Sequence, residues 1–300
     1  MRHRRAALAF VAVACAGLSG CANYRAVAEF GTETTRMTSV VRAELVTVNT
    51  LCLQQAEMQT AVMNVPDERI LDTCERNRLA SGRFARVTVD VLDQYAEALS
   101  ALADDKRFDV DPALQKDLSK LGDLKDRSGN AVVGASELGT IGKIVRVLGE
   151  VAVAVKRDEA VRRMIEATPD LHQAGVALKG YFVTVPGAPP TTVYNNTMTF
   201  VDRSARSTEG ELGRAQAREP IRAFELKRVL RGRQKDIDVR TAKTDDAVPV
   251  RIGVAIDAWL DALDDFAVHA RQPDAHEWVD RLKRLRNATR AAKATDGGDR

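Results

Sequence analysis

The chain has 300 residues, 45% of them hydrophobic and 29% charged, a globular balance that excludes a disordered chain. Lysine and arginine number 45 against 42 acidic residues, and Arg2, Arg4 and Arg5 supply the whole surplus of +3. Without that leading segment the chain is formally neutral, so its charge gives no ground for a nucleic-acid partner. Aromatics make up only 5% of the residues, which favours helices over a β-sandwich.

Residues 2 to 5 are basic, and an apolar run follows from Ala6 to Leu18. These are the two parts of a secretory signal, and the run is too short to span a bilayer as a helix. The segment then reads Leu18-Ser19-Gly20-Cys21. It resembles the lipobox of bacterial lipoproteins, and the resemblance covers this segment alone. It implies removal of residues 1–20, diacylation of the Cys21 thiol and acylation of the new amine. Two or more acyl chains hold a protein on a membrane, where one holds it only marginally. Ala22 stands where inner-membrane lipoproteins of the enterobacterial type carry Asp. By that resemblance the chain is expected in the cell envelope, on the outer membrane and facing the periplasm.

From Tyr24 to Met63 an apolar face recurs every three or four residues through Val27, Phe30, Met37, Val41, Leu45, Val48 and Cys52. Gly31 and the neighbouring threonines weaken the first part, which is expected to serve as a tether. Asn64-Val65-Pro66-Asp67 marks a turn, with Asp67 as the cap of a second helix. Ile70, Cys74, Asn77, Ser81, Phe84, Thr88, Val91, Tyr95, Ala98 and Leu102 form its heptad-like seam. Cys52 and Cys74 stand equally far from position 63, so an antiparallel hairpin brings them level. Both lie on apolar stripes, and an oxidising compartment permits a disulfide between them.

Asp111-Pro112 opens a short helix to about Leu124, and Gly129 centres a turn. The most apolar stretch, 131 to 155, is expected to continue as one helix through Ile165, with its glycines admitting close neighbours. Thr168 is read as the cap of the next helix, with Pro169 at its first position. Val185-Pro186-Gly187-Ala188-Pro189-Pro190 is the clearest loop. Charged helices follow to Thr241, with a break at Pro220. Two further helices carry Ile252, Ile256, Trp259, Leu263, Phe266 and Ala270, then Trp278, Leu282, Leu285, Thr289 and Ala292. Gln272-Pro273-Asp274 breaks the chain between them. The expected fold is all-α, elongated antiparallel hairpins packed as a bundle. Its expected parts are a removed signal at 1–20, a helical bundle region at 21–184, a loop at 185–191, C-terminal helices at 192–294 on the same bundle, and a disordered tail at 295–300.

Motifs of chemistry are weak. Gly139-Thr140-Ile141-Gly142-Lys143-Ile144 has neither the first glycine nor the hydroxyl of a phosphate loop. Ser136 lies outside the spacing of a nucleophile elbow. His276-Glu277-Trp278-Val279-Asp280 resembles the zincin pattern with Asp in place of the second histidine, and Pro273 separates it from His269. His172 stands near another helix start. Asp257, Asp261, Asp264 and Asp265 are expected on a solvated helix side, without the loop spacing of a calcium site. Basic residues concentrate between Arg214 and Lys235 and along the last helix. No cofactor, metal site or catalytic constellation is expected.

The function that fits these features is a structural or protein-interaction module of the cell envelope. It would be membrane-held through Cys21 and would meet an envelope protein partner. One alternative is a membrane-acting protein that hides the apolar helix 131–155, against which stand Glu137, Lys143, Arg146 and Glu150. Another is an envelope enzyme or small-ligand binder whose groups converge from distant segments.

Overall fold

A computed structural model describes residues 24–63, 74–75, 81–124, 131, 133–183, 193–216, 218–242, 244–270 and 276–293. The expected lipobox, the Asn64–Asp67 turn, the Gly129 turn, the 185–191 loop, the break at Pro273 and the C-terminal tail lie outside these residues. Among the described residues there are ten helices, no strand, and one continuous hydrophobic core. They are α1 (Tyr24–Met63), α2 (Ser81–Ala103), α3 (Pro112–Gly122), α4 (Ala135–Ala152), α5 (Arg157–Glu166), α6 (Thr168–Phe182), α7 (Val193–Ala215), α8 (Pro220–Thr241), α9 (Val248–His269) and α10 (His276–Lys293).

Helix α1 is the axis. Its 40 residues, at about 1.5 Å each, extend roughly 60 Å. It packs against α2, α7, α9 and α10. Val27, Phe30, Met37, Val41, Val48 and Cys52 are buried along its length, as the periodicity requires. The expected tether is instead firm helix. Thr32, Thr35 and Thr38 return their hydroxyls to carbonyls one turn back. Gly31 is where α2 comes closest: a Cβ there would stand 2.8 Å from the Ala96 carbonyl oxygen and 2.8 Å from Ser100 Oγ. The glycine permits contact rather than slack.

The α1–α2 pair is antiparallel, and Cys52 of α1 forms the expected disulfide with Cys74, which precedes α2 in the chain, with a Cα–Cα distance of 5.6 Å. At the opposite end α2 closes at Ala103, and Asp105 takes φ 56°, a left-handed turn that lets the Lys106 amide reach the Ala101 carbonyl at 2.8 Å. Asp111 caps α3, its carboxylate accepting from the Ala113 amide at 2.8 Å.

The stretch expected as one helix from 131 to 165 is two. Helix α4 ends at Ala152, and α5 begins at Arg157. The corner forms because Arg157 donates to the carbonyls of Leu102 and Ala103, which turns α5 over the end of α2. Ala167, not Thr168, lies between α5 and α6; the Thr168 side chain is buried and caps nothing. The α4 glycines do not draw neighbours close. A Cβ at Gly139 or Gly149 would meet nothing within 4 Å, and at Gly142 only Leu118 at 3.9 Å. With Leu118, Leu138 and Val145, Gly142 and Gly149 line an open groove of about 670 Å³ between α3 and α4.

Helices α7 and α8 form an outer hairpin on α1. Contacts at Glu44 and Tyr194, then at Gln55 and Thr208, show that α7 runs parallel to α1. Arg233 donates to the Gln54 carbonyl and Arg222 to that of Ala61, so α8 returns antiparallel, with the hairpin tip beside the end of α1. Helices α9 and α10 cover the other half. Phe30 stacks on Phe266 at 5.0 Å and meets Trp278 edge-on at 5.5 Å. Trp259, fully buried, donates Nε1 to Thr34 Oγ1 at 3.0 Å.

Two contrasts test this packing. Gly175 faces Trp259 Cζ3 and Leu260 Cδ2, at 2.7 and 2.8 Å from an added Cβ. Gly175→Ala should therefore cost about 1–3 kcal/mol by overpacking in urea unfolding. Gly149→Ala, in open space, should gain up to about 1 kcal/mol from helix propensity. The pair Cys52→Ser and Cys74→Ser should lower stability by about 3 kcal/mol in the same assay.

Candidate interaction surface

Three buried side chains fix the α7–α8 hairpin along α1. Arg240 grips Glu44 with two parallel hydrogen bonds, Nε to Oε1 at 2.8 Å and Nη2 to Oε2 at 2.9 Å. Their side chains are 4% and 5% exposed, so the pair is inside the bundle. Tyr194 Oη donates to Glu44 Oε1 at 2.8 Å, and Arg240 Nη1 donates to the Asp236 carbonyl at 3.1 Å. Burial works against the Arg240 charge, but the hydrogen bonds and charge of Glu44 outweigh it and hold the guanidinium's pKa above its ordinary value. Burial, then the Glu44 charge, pushes Tyr194 well above the usual tyrosine range. A polar ladder continues the register: Gln55 Nε2 donates to Thr208 Oγ1 at 3.1 Å, and Ser204 donates to Gln59. Arg240 also lines a cleft of about 450 Å³ with Phe182, Met198 and Pro249. Its fork is committed to Glu44, so this triad is a clamp rather than a set of reacting groups.

The sequence carries a signal of this pair. Glu44 falls on the α1 stripe of Met37, Val41 and Val48, and Arg240 continues the α8 stripe of Ala223, Leu230 and Ile237. Opposite charges at apolar positions of two helices are the signal of a buried pair.

Seated this way, α8 turns a second stripe outward. Ile221, Phe224, Arg228, Arg231 and Lys235 recur at spacings of three and four on the side opposite Ala223, Leu230 and Ile237. Ile221 is 78% and Phe224 69% exposed. Among the described residues no carboxylate pairs with Arg228, Arg231, Lys235 or the nearby Arg218, whereas Arg214 and Arg222 are held by Glu211 and Glu219. The hairpin tip also has a depression of about 550 Å³, lined by Ala61, Leu212, Arg218, Arg222 and Leu226. The basic region seen in the sequence is thus partly spent in holding α8 to α1 and partly presented to solvent.

The other candidate residues resolve differently. Asp257 pairs with Lys179 at 2.7 Å, Asp261 and Asp265 with Arg281 at 3.3 and 2.8 Å, and Asp264 lies 3.9 Å from His172. The acidic side of α9 is therefore an inter-helix ion-pair face, not a purely solvated one, because α6 and α10 bring bases to it. The side chains of His269, His276 and Glu277 lie outside the description, and Asp280 pairs with Lys283. No cluster of three or more potential metal ligands occurs among the described residues. On α4, Ile141, Ile144, Val145, Leu148 and Val151 are buried in the bundle, Lys143 pairs with Asp170, and Glu150 pairs with Arg163. No helix among the described residues is long and apolar enough to cross a membrane. Comparison with protein-family models, with curated proteins and with solved structures returned no match.

Glu44→Gln removes one partner of the buried pair and should cost about 3–5 kcal/mol, while Glu44→Leu combined with Arg240→Met should regain most of that loss. Chemical denaturation of the three proteins measures both effects. Burial raises Tyr95, Tyr194 and Tyr181, the last to about 12. Above pH 10 the unfolded chain then binds fewer protons than the native one, so stability should fall as pH rises from there. Tyrosinate absorbance at about pH 11 should remain low for these side chains until the protein unfolds.

Proposed function

We propose that this chain is a lipid-anchored protein-interaction module of a bacterial cell envelope, held by Cys21 on the outer membrane and facing the periplasm. The observation that carries the reading is the outward stripe of α8, in which Ile221 and Phe224 stand beside Arg228, Arg231 and Lys235, none of them paired with a carboxylate among the described residues. Aromatic and arginine side chains are the usual anchors of protein interfaces, and exposed apolar groups rimmed by charge mark binding faces. The spacing suits a helix laid alongside α8, and the charge selects an acidic one. Ala61, beside the hairpin tip, lies 37 residues along α1 from Tyr24, a separation of about 55 Å. A chain anchored just before Tyr24 would carry this surface well clear of the lipid.

In-cell cross-linking of the tagged protein, with capture and mass spectrometry, tests the reading. A specific partner should be captured by the wild type and lost with Arg228→Glu plus Arg231→Glu. Phe224→Ala should weaken purified partner binding by about 2 kcal/mol, near thirtyfold, with little change in thermal stability. Cys21→Ala should abolish lipid labelling. Persistence of the label would refute the anchor, and capture unaffected by the charge reversals would refute the binding face.

A further inference from the structure

The end of the bundle where α1 begins has its own exposed apolar feature. Tyr24 marks that end: its ring lies under the Arg157 guanidinium, 3.3 Å from the centroid, and its hydroxyl donates to Asp158. The α4–α5 corner immediately precedes Arg157. There Val155 is 99% and Val153 77% exposed, Ala154 is half-buried against the core, and Lys156 is exposed. Two β-branched apolar residues, one wholly and one mostly in water next to the start of the axial helix, gain little from the bundle's own packing.

We propose that this corner, Val153 to Lys156, docks on the lipid surface that receives the acyl chains of Cys21. The proposal rests on the anchored reading above. Only Ala22 and Asn23 separate Cys21 from Tyr24, and the three residue steps between them span at most about 10 Å. The start of α1, and with it the corner that touches Tyr24, is therefore confined to the head-group layer. Val153 and Val155 supply apolar contact there, and Lys156 has a stem long enough to keep its ammonium at head-group level. The charges around the corner are mixed, with Asp104, Asp158, Lys106 and Lys156 all exposed, so the contact is apolar and needs no anionic lipid. So small a patch would not recruit a free protein. Tethering makes the contact intramolecular, and the high effective concentration is enough to populate it. Docking would set α1 pointing away from the membrane, with the α8 stripe at the far end.

The test uses the full-length lipoprotein with one added cysteine, Val155→Cys or, as the distal control, Phe224→Cys, labelled with an environment-sensitive fluorophore. Each protein is reconstituted into phosphatidylcholine vesicles containing lipids with quenchers on their acyl chains. The label at 155 should be quenched about threefold more than that at 224, and should keep that quenching at high salt. The mass of the N-terminal peptide from the same preparation reports acylation of Cys21. An acylated protein whose 155 label is quenched no more than its 224 label overturns the docking alone. An unacylated Cys21 overturns the anchor reading and the docking with it.

Discussion

A 40-residue helix with apolar groups along its whole length must be covered from end to end, and that constraint organises the rest of the molecule. At about 60 Å, α1 outreaches every other helix in the bundle. Helix α2 covers one side, and the Cys52–Cys74 bridge ties the segment that precedes α2 to α1. The α7–α8 hairpin covers the far portion, and the α9–α10 hairpin covers the near portion with the Phe30, Trp259, Phe266 and Trp278 cluster. The remaining short helices fill the space that these antiparallel pairs leave, mainly against α2 and α9, with α5 touching the start of α1 at Tyr24.

Apolar coverage alone would let such helices slide, because a stripe of Val, Leu and Ala fits its neighbour in several registers. The buried polar atoms remove that freedom. Glu44 must meet Arg240 and Tyr194, Gln55 must meet Thr208, and Trp259 must meet Thr34, since displacement of any pair would strand charged or polar groups in the core. Glu33 plays the same part toward the last helix, buried and bound by Arg286 at 2.7 Å. Hydrophobic burial supplies the attraction between helices, and these hydrogen bonds decide their alignment.

The clamp also gives the molecule two different ends. With α8 locked by its Ala223, Leu230, Ile237 and Arg240 side, its opposite side is turned outward, and Ile221 and Phe224 are left exposed beside arginines. At the other end, Arg157 spends its donors on the last carbonyls of α2 and forces the α4–α5 corner, which puts Val153 and Val155 outside. Both exposed apolar features thus follow from where a buried or half-buried arginine is committed. The proposed lipid contact at one end and protein contact at the other would use this polarity.

Periodicity by itself determined the helical class, the α1 seam, the described part of the α2 seam and the buried faces of α9 and α10, because a 3.6-residue repeat of apolar groups has one regular solution, and the break read at Pro220 is where α8 begins. The equal distance of Cys52 and Cys74 from the turn was enough to pair them, since an antiparallel hairpin fixes which residues lie level. The basic run from Arg214 to Lys235 was likewise legible, but not which of its members pack against α1 and which face outward. Only the tertiary structure decided that Arg222 and Arg233 hold α1 while Arg228 and Arg231 face outward, that the α4 glycines line a groove, and that the 131–165 stretch bends at Val153. Each of these depends on which neighbour occupies a helix face. A sequence records the periodicity within one helix, whereas the partner of a face is settled by contacts between residues as distant along the chain as Glu44 and Arg240.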